Sequence, residues 1–100
     1  DLTKLKSGNI VLDLERFNVK VNGEEINLNP KELNILKYLM TNKGKVFTKK
    51  QIYENVWDEY YYENSNTVMV NISNLRNKIS EKDDYEYIEN IRGIVYRFKG

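Results

Sequence analysis

The residues best suited to chemistry lie in one acid-free stretch, "SNTVMVNISNLRNKI", from Ser65 to Ile79. It carries Asn66, Asn71, Asn74 and Asn77, with Thr67, Arg76 and Lys78. An Asn amide can make paired hydrogen bonds to adenine, a Thr hydroxyl can donate to a base or phosphate, and Val70 can touch a thymine methyl. The other reading is a solvated helix side, although such a face usually mixes Glu with Lys. A second candidate is "IRGIVYRF" (91–98), where Arg92 beside Gly93 sits near a turn tip. A guanidinium there can enter a narrow A·T minor groove, or be an ordinary surface arginine. Tyr96 and Arg97 could hold phosphates or close the core. The third is the run Asp58, Glu59, Tyr60, Tyr61, Tyr62, Glu63. Its consecutive tyrosines suit a protein contact or local packing.

Composition narrows the chemistry. The 100 residues include no cysteine and no histidine, which removes the thiol nucleophile, the commonest general base and the commonest zinc ligands. Asp13, Asp58, Asp83 and Asp84 lie in turns or charged loops without a basic partner motif, and no glycine-rich phosphate loop or metal-ligand cluster occurs. The expectation is a protein that is not an enzyme and needs no cofactor. No apolar run approaches the roughly 18 residues of a membrane span, so a cytoplasmic location without a membrane partner is expected. The net charge is only +1. Its distribution is more telling, because a binding surface needs local field rather than net charge.

The elements that must position these residues can be read from the pattern. Residues 1–8 are polar and read as the end of a linker. "NIVLDLERFNVKVNGEEINL" alternates through Ile10, Leu12, Phe17, Val19, Val21, Ile26 and Leu28, giving three or four short strands. Asn22-Gly23 marks a hairpin turn. Asn29, Pro30 and Glu32 make a helix start with a capping box, and Asn42-Lys43-Gly44 makes a stop. Thr48 and Gln51 form a second capping box, opening a short helix to Trp57. A loop follows, with Ser65 or Asn66 as cap of the third helix. At about 100° per residue, Val68, Ile72, Leu75 and Ile79 share one arc. Thr67, Val70, Asn71, Asn74 and Asn77 lie opposite, with Lys78 at the edge. The chain closes as strand, Arg92-Gly93 turn, strand.

These segments together resemble the OmpR/PhoB-type winged helix-turn-helix, the DNA-binding effector domain of bacterial two-component response regulators. "LNPKELNILKYL" looks like the family's first helix, "FTKKQIYENVW" its second, "SNTVMVNISNLRNKI" its recognition helix and "YIENIRGIVYRF" its wing. The resemblance covers nearly the whole chain. It implies an α+β fold over residues 1–100: an N-terminal antiparallel sheet, three helices and a C-terminal β-hairpin. It implies double-stranded DNA as partner, with helix 65–79 in the major groove and hairpin 87–98 as a minor-groove wing. It places DNA contacts on Asn66, Thr67, Val70, Asn71, Asn74, Arg76, Asn90 and Arg92, to which Lys78 and Tyr96 are added as candidates. It implies head-to-tail pairs on direct repeats, and RNA polymerase at the loop Asp58–Glu63. It also implies a sensor kinase acting through a receiver domain that is absent from this chain and would precede Asp1.

The departures are informative. The family often has arginine where Asn66 and Asn74 stand, histidine at Asn71, an acid at Met69 and a glycine at Val95. Each lost phosphate contact flattens the salt dependence by about one log–log unit. Weaker, less salt-sensitive binding with an adenine-rich preference is expected, with Arg76, Lys78 and Arg92 as the charged anchors. The alternative is a protein-interaction module on the same fold, its DNA face eroded.

Overall fold

The computed structural model describes residues 3–61 and 66–100. The chain begins with a four-stranded antiparallel meander: β1 (Lys4–Ser7), β2 (Ile10–Asp13), β3 (Asn18–Val21) and β4 (Glu24–Ile26), in spatial order β1-β2-β3-β4. Alternation decides its faces. Ile10, Leu12, Val19, Val21 and Ile26 point into the core, while Lys6, Val11, Lys20 and Glu25 form the opposite row. Asn22 and Gly23 take φ of +54° and +79°, the positive pair that a type I′ turn requires.

Two expectations about this sheet change. Residues 4–7 are a strand rather than linker, because Lys4–Ser7 pairs in register with Asp13–Ile10. Phe17 does not join the alternation: it sits in the β2–β3 turn at φ +53°, 42% exposed.

Helix α1 (Pro30–Thr41) starts at the expected capping box. Glu32 N donates to Asn29 Oδ1 at 2.8 Å, and Asn29 N donates back to Glu32 Oε1 at 3.0 Å. Helix α2 (Lys49–Val56) repeats the device with Thr48 and Gln51. Between them lies an unforeseen strand, β5 (Val46–Thr48). It joins β6 (Ile88–Ile91) and β7 (Val95–Phe98) in a second sheet of order β5-β7-β6. Helix α3 spans Thr67–Ser80 and packs on α1 and α2. Val68, Ile72, Leu75 and Ile79 are buried in one core with Leu33, Leu36, Leu39, Ile52, Ile88 and Phe98. Full burial of such side chains contributes roughly 1.5–3 kcal/mol each, which fixes α3 in rotation about its own axis. The polar side of α3 is thereby forced outward.

Candidate nucleic-acid interface

Asn66 occupies the N-cap position of α3, but its side chain makes no capping bond. Ser65 lies outside the described residues. Asn66, Thr67, Val70 and Asn74 are exposed, Val70 by 53%. Asn71 is half-buried and donates Nδ2 to the Thr67 carbonyl at 2.9 Å. An Asn amide has two N–H donors and a carbonyl, so one N–H and the oxygen remain for a ligand. Met69, absent from the expected contacts, is 43% exposed, with Lys49 Nζ 3.6 Å from its sulfur. The first residue of α2 therefore borders this face.

The hairpin stands beside α3. Asn90 and Arg92 are exposed, and Arg92 (φ +56°) and Gly93 (φ +69°) form the tip. Ile94 N closes the turn on the Ile91 carbonyl at 3.0 Å. Positive φ falls on these two residues. Val95 lies within β7, paired with Thr48 and Ile91, so valine there carries no backbone strain. Ile94 adds an apolar side chain to the tip, 63% exposed.

Three expected contacts have other attachments. Tyr96 is 5% exposed and closes the core. Burial pushes its phenol pKa up, opposed by the nearby Arg76 guanidinium. Lys78 does not point into open solvent: its Nζ lies 2.7 Å from Oε1 of Glu32, a carboxylate only 1% exposed. Arg76 Nη2 stands 3.8 Å from Glu86 Oε2. Arg97 is paired with Glu89 across the hairpin. Among the described residues, Arg92 is the one cation of α3 and the hairpin without an acidic partner.

Between α3 and the segment entering β6 runs a cleft of about 510 Å³. Ser73, Arg76 and Asn77 line one side, Asp84, Glu86 and Asn90 the other. The far side is anchored to the first sheet. Tyr87 Oη donates to Asp83 Oδ2 at 2.6 Å and accepts from Asn9 N at 2.9 Å, while Asn9 Nδ2 donates to the same carboxylate oxygen at 3.0 Å. Tyr87 foremost, then the Tyr85 amide and Asn9, hold the Asp83 carboxyl below its usual range. Asn22 Nδ2 donates to the Lys82 carbonyl at 2.6 Å, and Lys82 pairs with Glu24 at 2.9 Å. Two turns of the N-terminal sheet thus grip the exit of α3.

The tyrosine run divides. Tyr61 is buried with its ring edge toward Tyr53 at 5.5 Å, and Tyr53 stacks on Trp57 at 4.9 Å. Tyr60 is 74% exposed. Asp58 (φ +57°) and Glu59 are exposed, and Glu59 accepts from the Tyr53 hydroxyl at 3.2 Å. Tyr62 and Glu63 lie outside the described residues. No His/Cys/Asp/Glu group among the described residues could hold a metal ion, and no helix there is long and apolar enough to cross a membrane.

Comparison with known proteins gives a consistent picture. Residues 23–98 match the family model "Transcriptional regulatory protein, C terminal". The sensory transduction protein RegX3 of Mycolicibacterium smegmatis is 38% identical over 97 residues, covering 96% of this chain and 42% of that protein. The chain thus spans less than half the length of this curated relative. Among solved structures, the response regulator DrrB, a Thermotoga maritima OmpR/PhoB homolog, superposes with a TM-score of 0.84 at 30% identity, covering 98% of this chain and 45% of that one. The Klebsiella pneumoniae RstA DNA-binding domain, solved in complex with the RstA box, gives 0.83 at 25% identity, covering 95% of each chain.

Proposed function

Because this chain belongs to the OmpR/PhoB-type family of C-terminal transcriptional regulatory domains, whose work is transcriptional regulation through DNA binding, we propose that it is the sequence-specific output domain of a bacterial two-component response regulator. The observation that carries this reading is the outward side of α3, an acid-free row of amides and Thr67 set beside a hairpin with Arg92 at its tip. In this reading α3 lies in the major groove. Asn66, Asn71 and Asn74 read adenines, and Val70 meets thymine methyls. The hairpin enters the adjacent minor groove through Arg92. This reading leaves Lys78 and Tyr96 out of the contact set, assigning one to Glu32 and the other to the core.

The partners follow from the same reading: double-stranded DNA carrying direct repeats bound by a head-to-tail pair, and RNA polymerase at the loop Asp58–Glu63. A sensor kinase would act through a receiver domain elsewhere in the protein, in the cytoplasm. Selection from random double-stranded DNA at low salt is the test. Enrichment of an A·T-rich direct repeat, weakened by Arg92→Ala, is expected. No enrichment, with Arg92→Ala inert, overturns it.

One observation favours a second reading, a protein-interaction module with an eroded DNA face: Arg76, Lys78 and Arg97 already have acidic partners. A protein partner retained after nuclease treatment, together with no DNA selection, is its signature.

A further inference from the structure

We propose that Glu86 is a built-in competitor of DNA phosphate, holding Arg76 in the free protein and yielding it when a phosphodiester strand enters the cleft between α3 and β6. This rests on the DNA-binding reading above. A helix in a major groove and a hairpin in the next minor groove are separated by one phosphodiester strand. In this molecule the cleft lies between α3 and the segment entering the hairpin, with Asn90 of the hairpin on its rim, so it opens on the path of that strand. One side offers phosphate donors: the Arg76 guanidinium, the Ser73 hydroxyl and the Asn77 amide. Across from them stand the carboxylates of Glu86 and Asp84. The Arg76–Glu86 separation is 3.8 Å, and the side chains are 38% and 56% exposed. Such a wet, loose pair is weak and opens readily. The carboxylate stands where a phosphate oxygen would otherwise be met.

Two consequences separate this device from mere surface charge. DNA binding frees Glu86, which takes up its own counter-cation and offsets the ion that Arg76 displaces from DNA. The salt dependence is therefore flatter than the number of phosphate contacts predicts. Removing the carboxylate restores the missing ion, and does so only while Arg76 is present.

The experiment measures affinity against salt concentration for the wild type, Glu86→Gln, Glu81→Gln, Arg76→Ala and the Arg76→Ala/Glu86→Gln double variant, on the selected site. Glu81 is exposed at the end of α3 and does not line the cleft, so its variant makes the same change in net charge elsewhere. Glu86→Gln is expected to bind about three- to tenfold tighter at about 50 mM salt, with a log–log slope steeper by up to about 0.9. Glu81→Gln should change little, and the gain should vanish in the Arg76→Ala background. Unchanged affinity and slope in Glu86→Gln overturn the proposal while leaving the DNA-binding reading intact. So does an equal gain from Glu81→Gln, or a gain that survives Arg76→Ala. Failure of every variant, wild type included, to select DNA overturns both.

Discussion

Replacing Lys78 with methionine separates two roles that predict opposite results. As a DNA anchor, Lys78 would be dispensable for folding, and its loss would weaken binding. In the structure its ammonium lies 2.7 Å from a Glu32 carboxylate that is 1% exposed, and the Asn29 amide 3.0 Å away is that carboxylate's other donor. Removing one partner of a fully buried pair costs about 3–5 kcal/mol, because the remaining charge is stranded. Lys78 is 37% exposed, so water can reach the vacated position, and about 2 kcal/mol is the better expectation. That corresponds to a fall in Tm of about 10 °C for a domain of this size. Urea denaturation should show a lower midpoint with an unchanged slope. The double variant Lys78→Met/Glu32→Gln should recover most of the loss, because glutamine keeps the α1 capping box while removing the buried charge. DNA affinity, measured where all variants are folded, should keep its salt slope. A stable Lys78→Met protein whose slope drops by about 0.9 would refute the assignment and return Lys78 to the interface.

Other expectations follow from the same geometry. A Cβ at Gly8 (φ +55°) would lie 2.8 Å from Tyr87 Oη and 2.9 Å from Cε1, so Gly8→Ala should destabilise by about 2 kcal/mol in urea unfolding. Burial first, then its bond to Asp83, raises the Tyr87 pKa above 10.0. Its contribution to stability is complete below pH 10 and is lost as pH rises through the raised value; Tyr87→Phe should remove that alkaline slope in a pH series of unfolding midpoints. Asp83 behaves inversely. Its lowered pKa gives stability that is present above 3.8 and lost as pH falls through the depressed value, and Asp83→Asn should flatten the acid limb. Met69→Glu would set a carboxylate near Lys49 Nζ, stabilising by at most about 0.5 kcal/mol while lowering DNA affinity in a binding titration.

What the sequence disclosed depended on how local the cause was. Both capping boxes, the Asn22-Gly23 turn and the Val68–Ile79 stripe each need only neighbours within a turn or two, and each appears in the structure where the pattern put it. β1 has one apolar residue among Lys4, Leu5, Lys6 and Ser7, too few to show a period, and it becomes a strand only because β2 offers an edge. β5 is three residues with Val46 half exposed, and pairing with β7, some fifty positions later, defines it. The wheel could set Lys78 at the edge of a face but could not show Glu32 beneath it, 46 residues earlier. Tyr96 had two open readings, and only the packed core decides between them. Glu86 gave no signal at all, since an acid in a charged connector looks the same whether or not it faces an arginine.

The pairing of cations bears on how a domain of this kind can be specific. Phosphate contacts supply affinity without sequence information, and base contacts supply the reverse. With Asn66 and Asn74 neutral, Lys78 committed to Glu32 and Arg97 to Glu89, α3 and the hairpin present little unopposed positive charge beyond Arg92 to an arbitrary duplex. Non-specific binding, the competitor offered by every other stretch of genome, is reduced most by this arrangement. In the proposed reading, hydrogen bonds from the asparagines and contacts of Val70 would form only on a matching site, so they would not be reduced with it. The loss of steering charge lowers single-domain affinity. Two domains on adjacent repeats can recover that affinity through effective concentration, without adding a non-specific contact. Within the proposed reading, the acidic partners of Arg76, Lys78 and Arg97 therefore shift discrimination toward paired sites. Under that proposal the asparagines of α3 are compatible with function if paired binding, rather than phosphate charge, supplies the missing affinity.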